Sequence, residues 1–227
     1  MLKDISVIVP ALNEEKNILS TIDNLLTSFK EFNLDGEIIV VNDGSTDSTG
    51  SMAGTRPGIK LVEHEKPLGV GTSFWDGLKQ AQGRVVTMIP GDNENDPREI
   101  LRYYDLTKQV DLVVPFLINK KDRPLLRRFI SYLFCLMVRI TFRVDFRYTN
   151  GTSLINRSAL ETTSHKSRGF FFQAEMLVKL VKKGYLFAEV PCRVGKRKAG
   201  ASKSITFHSL KDYLIDYYQL IKDLCKS

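Results

Sequence analysis

The sequence predicts an α/β protein built on a mostly parallel sheet, and three observations carry that reading. Five short apolar runs of strand length fall in the first 115 residues. Segments with helical spacing separate them, which is the pattern of parallel strands joined by right-handed crossovers. The composition is ordinary for a folded chain of 227 residues, with 43% hydrophobic and 26% charged residues, so general disorder is excluded.

The elements follow in order. Ile5–Val9 (ISVIV) is continuously apolar, as in a strand buried on both faces. Glu14–Phe32 puts Ile18, Ile22, Leu25, Leu26 and Phe29 on one helical stripe, with Asn13 as N-cap. Glu37–Val41 (EIIVV) is the second strand, and Asp43-Gly44-Ser45 turns the chain toward another helix. Lys60–Glu63 is a third strand, Gly71–Ala81 a helix, Val85–Ile89 a fourth strand, Pro97–Lys108 a helix and Asp111–Pro115 a fifth strand. The second half is less regular. Arg123–Phe142 reads as a helix with a basic start (Arg123, Arg127, Arg128) and an apolar body, and Thr149–Ile155 as a strand. Phe171–Lys182 is an amphipathic helix ended by Gly184, Leu186–Val190 is a strand, and Phe207–Cys225 is a closing helix after a basic loop over 193–204. No internal repeat, low-complexity tract or linker divides the chain, so one domain over 1–227 is expected.

Several classes are disfavoured. Cys135, Cys192 and Cys225 are too few and too scattered for a disulfide framework, and no CxxC pair supports a zinc or redox site. A reducing compartment is expected. The start, MLKDISVIVPALNEE, is too acidic and its apolar run too short for a signal peptide. The longest apolar stretch, Phe129–Phe142, has 14 residues and is interrupted by Arg139, whereas a membrane span needs about 20. The net charge of +7 is uneven. Residues 1–100 hold 9 Lys+Arg against 16 Asp+Glu, and the remainder 24 against 10. The second half therefore suits an anionic partner, such as a phosphate substrate or a phospholipid surface, or is simply a soluble basic surface. Nucleic acid is not expected, because no recognition motif accompanies the charge.

In an open parallel sheet, ligands bind beyond the carboxyl ends of the strands. Those ends read Pro10-Ala11-Leu12-Asn13-Glu14, Asn42-Asp43-Gly44-Ser45, Lys66-Pro67-Leu68-Gly69-Val70-Gly71 and Pro90-Gly91-Asp92-Asn93-Glu94-Asn95-Asp96. Gly69-x-Gly71 before a helix suits backbone approaching a phosphate, but neither a dinucleotide fingerprint nor a Walker sequence is present. Asp92 and Glu94 are hard oxygen ligands of the kind that hold Mg²⁺ or Mn²⁺ against a diphosphate. Asp96 before Pro97 reads better as a helix cap.

The combination VIVPALNEE, VVNDGSTDST, KPLGVGTSFWDGL and IPGDNE resembles the family 2 glycosyltransferases of the GT-A fold. Within them the chain is most similar to the dolichyl-phosphate mannose synthase-like enzymes that use polyprenyl phosphates, a likeness supported further by Asp145, Thr149-Asn150-Gly151, Arg157 and Gly200-Ala201-Ser202-Lys203. The resemblance implies a nucleotide-sugar half over 1–115 and an acceptor half over 116–227. Pro10, Leu12, Glu14 and Asp43 match positions that cradle the base and ribose, with Leu12 where an aromatic is common. Gly69, Arg197 and Lys203 belong to the segments expected around the diphosphate, the last two on a closing loop. Asp92 matches the last acid of the family's DxD metal motif and Glu94 the metal-holding position after it, while Pro90 replaces the first acid. Glu175 matches an acid near the donor sugar.

On the acceptor side, Arg127 and Ser131 have the spacing with which the subgroup holds the acceptor phosphate. As an i, i+4 pair they share a helix face, and a solvated basic helix start would look the same. Phe129–Phe142 is either a core helix or an interfacial one whose apolar face meets acyl chains, with arginines near headgroups. Phe170, Phe171 and Phe172 suit core or groove packing. His64, His165 and His208 form no ligand spacing and receive no role. The implied activity is inverting transfer of a hexose, such as mannose, from a nucleotide-diphosphate sugar to polyprenyl phosphate on the cytoplasmic face of a membrane, with Asp92, Arg127 and Glu175 in the catalytic set. A membrane-protein partner or a second copy is left open. Two other readings remain: transfer to a sugar hydroxyl, with Glu175 as base, and a non-catalytic nucleotide-sugar binder, motivated by Pro90.

Overall fold

In the computed structural model, which describes residues 3–119, 125–164, 167–195 and 207–225, the apolar runs become the interior of one sheet. The side chains of residues 126, 127 and 207–212 lie outside that description. β1 (Lys3–Ala11) is flanked by β2 (Gly36–Asn42) and β4 (Gly83–Met88), both parallel to it, and β3 (Lys60–Glu63) adds in parallel to the outside of β2. The full order is β3-β2-β1-β4-β6-β5-β7. β5 (Leu112–Leu117) and β7 (Phe187–Cys192) run parallel to each other, while β6 (Leu154–Asn156) is antiparallel to both β4 and β5.

Period-two alternation splits the strand residues between two cores. Ile8, Ile39, Val41, Val86 and Val114 face α3 (Val70–Lys79), α7 (Phe172–Lys182) and the inner sides of α5 (Leu125–Phe142) and α8 (Phe207–Leu224). Val7, Val9, Val40, Val85 and Val113 face α1 (Ile18–Glu31) and α4 (Arg98–Leu101). Both faces are covered, which is why the strands read as continuous apolar runs rather than alternating ones. Two short helices complete the set, α2 (Thr49–Gly54) and α6 (Arg157–Leu160).

Three sequence expectations change. The first helix starts at Ile18, not at Glu14, because Asn13 takes a left-handed conformation (φ 54°) and bonds across to the next strand end instead of capping. Pro97–Lys108 divides into α4 and a 3-10 segment, Tyr104–Lys108. The tighter turn aligns Tyr104 and Thr107 on one side; the Tyr104 hydroxyl donates to the Asp4 carbonyl oxygen (3.2 Å), and Thr107 accepts from Arg84 (2.9 Å). Of Thr149–Ile155, only the end joins the sheet; Thr149–Thr152 instead line the cavity described below.

Candidate active site

The backbone of β1 brings the informative loops together. The Asp43 N–H donates to the Ala11 carbonyl (2.9 Å) on one side of the strand end, and the Gly91 N–H to the Pro10 carbonyl (3.0 Å) on the other. Asp43 and Asp92 thus flank β1 and line one cavity of about 650 Å³. Pro10, Leu12, Glu14, Gly69, Glu94 and Ser131 line it too. Of the other residues selected from sequence, the Arg127 side chain, Arg197 and Lys203 lie outside the described residues.

The strand-end loops are pinned to one another. The Asn13 N–H donates to Ser45 Oγ (3.0 Å), and the Thr46 N–H returns to Asn13 Oδ1 (2.8 Å). The Glu14 N–H donates to Thr49 Oγ1 (2.8 Å), and its buried carboxylate accepts from Asn17 Nδ2 (2.8 Å). Gly44 has φ 71°, and a Cβ there would meet the Lys66 carbonyl carbon at 2.4 Å, so this turn needs glycine. Gly69 (φ 99°) is equally constrained: a Cβ would stand 2.5 Å from the Arg168 carbonyl oxygen. Asp43 organises this loop by accepting the N–H groups of Leu68 and Gly69, each at 2.9 Å.

After β4, Asn93 is left-handed (φ 56°) and held by Asn24 Nδ2 (2.9 Å). The Glu94 N–H donates to Asp92 Oδ1 (3.0 Å), and Asp96, one residue before the N-cap Pro97 of α4, accepts the Arg98 N–H (3.0 Å). Asp92 and Glu94 both stand on the cavity wall and are chemically suited to Mg²⁺ or Mn²⁺. Among the described residues no group of three or more His, Cys, Asp or Glu could hold a metal. With Pro90 in place of the first acid, these two residues fit an ion whose remaining oxygens would come from the ligand's own diphosphate. The basic segment is rooted beside them: Arg193 and Val194 line the cavity, and Asn119 Nδ2 donates to the Val194 carbonyl (2.8 Å).

Part of the cavity lining is apolar and comes from Leu133, Phe134 and Met137 of α5 and Tyr213, Leu214 and Tyr217 of α8. The Phe134 and Tyr213 rings meet edge to face at 5.6 Å. Burial raises the Tyr213 phenol well above its ordinary value, so it stays neutral. Among the described side chains of α5 only Val138 and Phe142 are buried hydrophobics, whereas Phe129, Tyr132 and Ile140 are exposed, as are Leu214, Ile215 and Tyr218 of α8. α5 is therefore not a core helix, and no helix among the described residues is long and apolar enough to cross a membrane. Phe171 and Phe172 are core, and Phe170 lines the cavity.

Glu175 differs from its expected place. It is buried and absent from the cavity lining; its carboxylate pairs with Lys179 Nζ (2.5 Å) and accepts the Ser167 N–H (2.9 Å). Its i, i+4 cation turns it inward. Sequence reasoning missed Gln173, Tyr213, Tyr217 and Arg193 as lining residues; the only available signal was their position on segments already assigned to the acceptor half. It also missed His64, which contacts Asp43 from behind the wall. Cys192, also lining, has a thiol that burial pushes up to about 12, with the Glu99 charge adding, so it is a poor nucleophile.

The mostly parallel sheet with its ligand-facing strand ends and flanking helices defines a GT-A fold. In three dimensions it matches glucosyl-3-phosphoglycerate synthase from Mycobacterium tuberculosis, solved in complex with Mn²⁺, UDP-glucose and phosphoglyceric acid, with TM-score 0.75, 21% identity, and coverage of 97% of this chain and 80% of that one. The chain belongs to glycosyl transferase family 2, which matches residues 6–178. It is 28% identical over 232 residues to the dolichol-phosphate mannosyltransferase of Pyrococcus furiosus, covering 96% of this chain and 64% of that protein. It is 29% identical over 136 residues to the dodecaprenyl-phosphate galacturonate synthase of Rhizobium johnstonii, covering 57% of this chain and 40% of that protein. It is also 31% identical over 144 residues to the undecaprenyl-phosphate 4-deoxy-4-formamido-L-arabinose transferase of Pectobacterium carotovorum, covering 61% and 44% respectively. The chain thus spans less than two thirds of the length of these curated relatives.

Proposed function

We propose that this chain transfers a hexosyl group, mannose being the first candidate, from a nucleotide-diphosphate sugar to a polyprenyl phosphate at the cytoplasmic face of a membrane, as a single domain. One observation carries the reading: a single cavity is lined both by the acidic strand ends around Asp43 and Asp92 and by apolar side chains of α5 and α8, two helices that also carry exposed hydrophobic residues. The polyprenyl-phosphate relatives support the choice of acceptor.

In this mechanism Pro10, Leu12, Glu14 and Asp43 hold the nucleoside, and the backbone at Gly69 approaches the diphosphate. Asp92 and Glu94 would hold a divalent cation that neutralises charge on the departing diphosphate. Ser131 and Arg127 orient the acceptor phosphate, and Arg197 and Lys203 supply positive charge for the donor diphosphate. The acceptor oxygen is already anionic at neutral pH, so no strong general base is required. It attacks the anomeric carbon as the bond to the nucleotide diphosphate breaks, with inversion. The chain's contribution is alignment and charge stabilisation. Transfer to a sugar hydroxyl would require a base, and Glu175 is paired with Lys179 outside the cavity lining.

The test is a panel of UDP- and GDP-hexoses with Mn²⁺ or Mg²⁺, read first by thermal shift and then by transfer to a short polyprenyl phosphate. Glycolipid formation that is lost in Asp92→Ala is the expected result. Donor binding without transfer or hydrolysis under any acceptor would instead support a nucleotide-sugar binder weakened at Pro90.

A further inference from the structure

His64 follows β3, and its backbone N–H donates to the Asn42 carbonyl (3.0 Å), continuing the ladder with β2. The side chain is almost fully buried, at 7% exposure, and does not line the cavity. Its Nδ1 stands 2.7 Å from Asp43 Oδ1. An ionised carboxylate only accepts, so Nδ1 carries the proton of this bond. On the other side of the ring, Nε2 lies 3.3 Å from Asp76 Oδ2 of α3, without a hydrogen bond among the described residues. Asp76 is itself paired with Lys79 Nζ at 2.6 Å.

Asp43 is therefore held from three directions. Oδ1 accepts from His64 and the Leu68 N–H, and Oδ2 accepts from the Gly69 N–H. A carboxylate has about four acceptor sites, so these bonds leave it capacity for a donor on a ligand while fixing its rotamer. The two backbone bonds follow the loop. The His64 bond ties the carboxylate to the end of β3.

We propose that His64 is a positioning residue for the donor site: its Nδ1–H locks the Asp43 carboxylate toward the cavity. This rests on the reading of Asp43 as part of the nucleotide site. A charge-assisted bond of this kind contributes more than a neutral one, so its loss reads as a change in donor affinity rather than in the chemical step.

Asparagine places its amide nitrogen where Nδ1 stands, while glutamine reaches only the region of Nε2. The experiment titrates UDP and GDP, with Mn²⁺, into the unaltered chain, Asp43→Asn, His64→Ala, His64→Asn and His64→Gln, with a thermal midpoint for each. Expected are affinity within about threefold of the unaltered chain for His64→Asn, and weakening of about tenfold for His64→Ala and His64→Gln. In transfer assays the same two variants raise the donor KM and leave kcat in place. If His64→Ala does not fold, the contrast between the other two His64 variants carries the test. Failure of the unaltered chain to bind either nucleotide, or undiminished binding by Asp43→Asn, overturns the reading of the site itself. Weak binding by Asp43→Asn together with unweakened His64→Gln, or with equal losses in His64→Asn and His64→Gln, overturns the role of His64 alone.

Discussion

The Gly195 N–H donates to the Glu94 carbonyl at 3.1 Å, which staples the root of the basic segment to the acidic turn that follows β4. Charges of opposite sign, far apart in sequence, are thereby brought to one wall. A Cβ on Gly195 would sit 2.9 Å from the Glu94 oxygen, so Gly195→Val forces the two segments apart. Loss of one net hydrogen bond, about 1 kcal/mol, corresponds to roughly fivefold. Calorimetric titration of the nucleotide diphosphate with Mn²⁺ should show that weakening, with the thermal midpoint little changed. Unchanged affinity would detach the basic segment from the donor site.

Glu175→Gln separates a base from a structural ion pair. Breaking a buried pair by neutralising one partner costs roughly 3 kcal/mol, and here the Lys179 ammonium would be left with the Ser164 carbonyl at 2.9 Å and the more distant Asp223 carboxylate at 3.7 Å. The expected variant unfolds at markedly lower urea but retains turnover per folded molecule. Ser167 also bonds Asp216 of α8, so some loosening of that helix should accompany it. A variant of normal stability with abolished turnover would restore Glu175 to the chemistry and favour a hydroxyl acceptor.

The strand ends were legible because position in a parallel sheet decides where its loops go: Lys60–Glu63 is the third strand both in pattern and in structure, and Asp43 and Asp92, after the two strands that flank β1, line one cavity. What sequence could not supply was side-chain competition. Asn13 reads as a cap until Ser45 and Thr46 are seen to take its hydrogen bonds. Glu175 reads as a site acid until Lys179, one turn on, takes its charge. Tyr213 and Gln173 reach the cavity only through the packing of α7 and α8, which no local pattern encodes. His64 has no ligand spacing in sequence because its partners, Asp43 and Asp76, come from two other elements.

The exposed side of α5 bears on where the chain works. Phe129 and Ile140 are 59% and 69% exposed, with Arg139 beside Asp145 at 3.5 Å. Burying one such side chain in lipid is worth about 2 kcal/mol. The double variant Phe129→Ser, Ile140→Ser should therefore lose well over tenfold in co-sedimentation with anionic phospholipid vesicles, while nucleotide binding is retained. Equal sedimentation of variant and unaltered chain would remove α5 from any membrane contact.

At the opposite end of the sheet, Glu37 makes stability depend on acid. Burial alone would raise its pKa, but bonds from Lys60, Ser6 and the Gln82 N–H outweigh that and hold it below the ordinary 4.5. Lys60 Nζ stands 2.8 Å from Oε2, and the Gln82 N–H 2.6 Å from Oε1. A carboxylate whose pKa is lower folded than unfolded contributes stability that is complete above the unfolded value and is lost as pH falls through the folded one. Urea midpoints should hold near neutral pH and decline once pH drops below about 4.5. In Glu37→Gln the chain should be weaker at neutral pH by about 2 kcal/mol, the scale of a hydrogen bond to a charged group. Its acid decline should also be shallower, since this proton no longer contributes to the difference. Parallel pH curves for the two proteins would show that the acid sensitivity arises elsewhere.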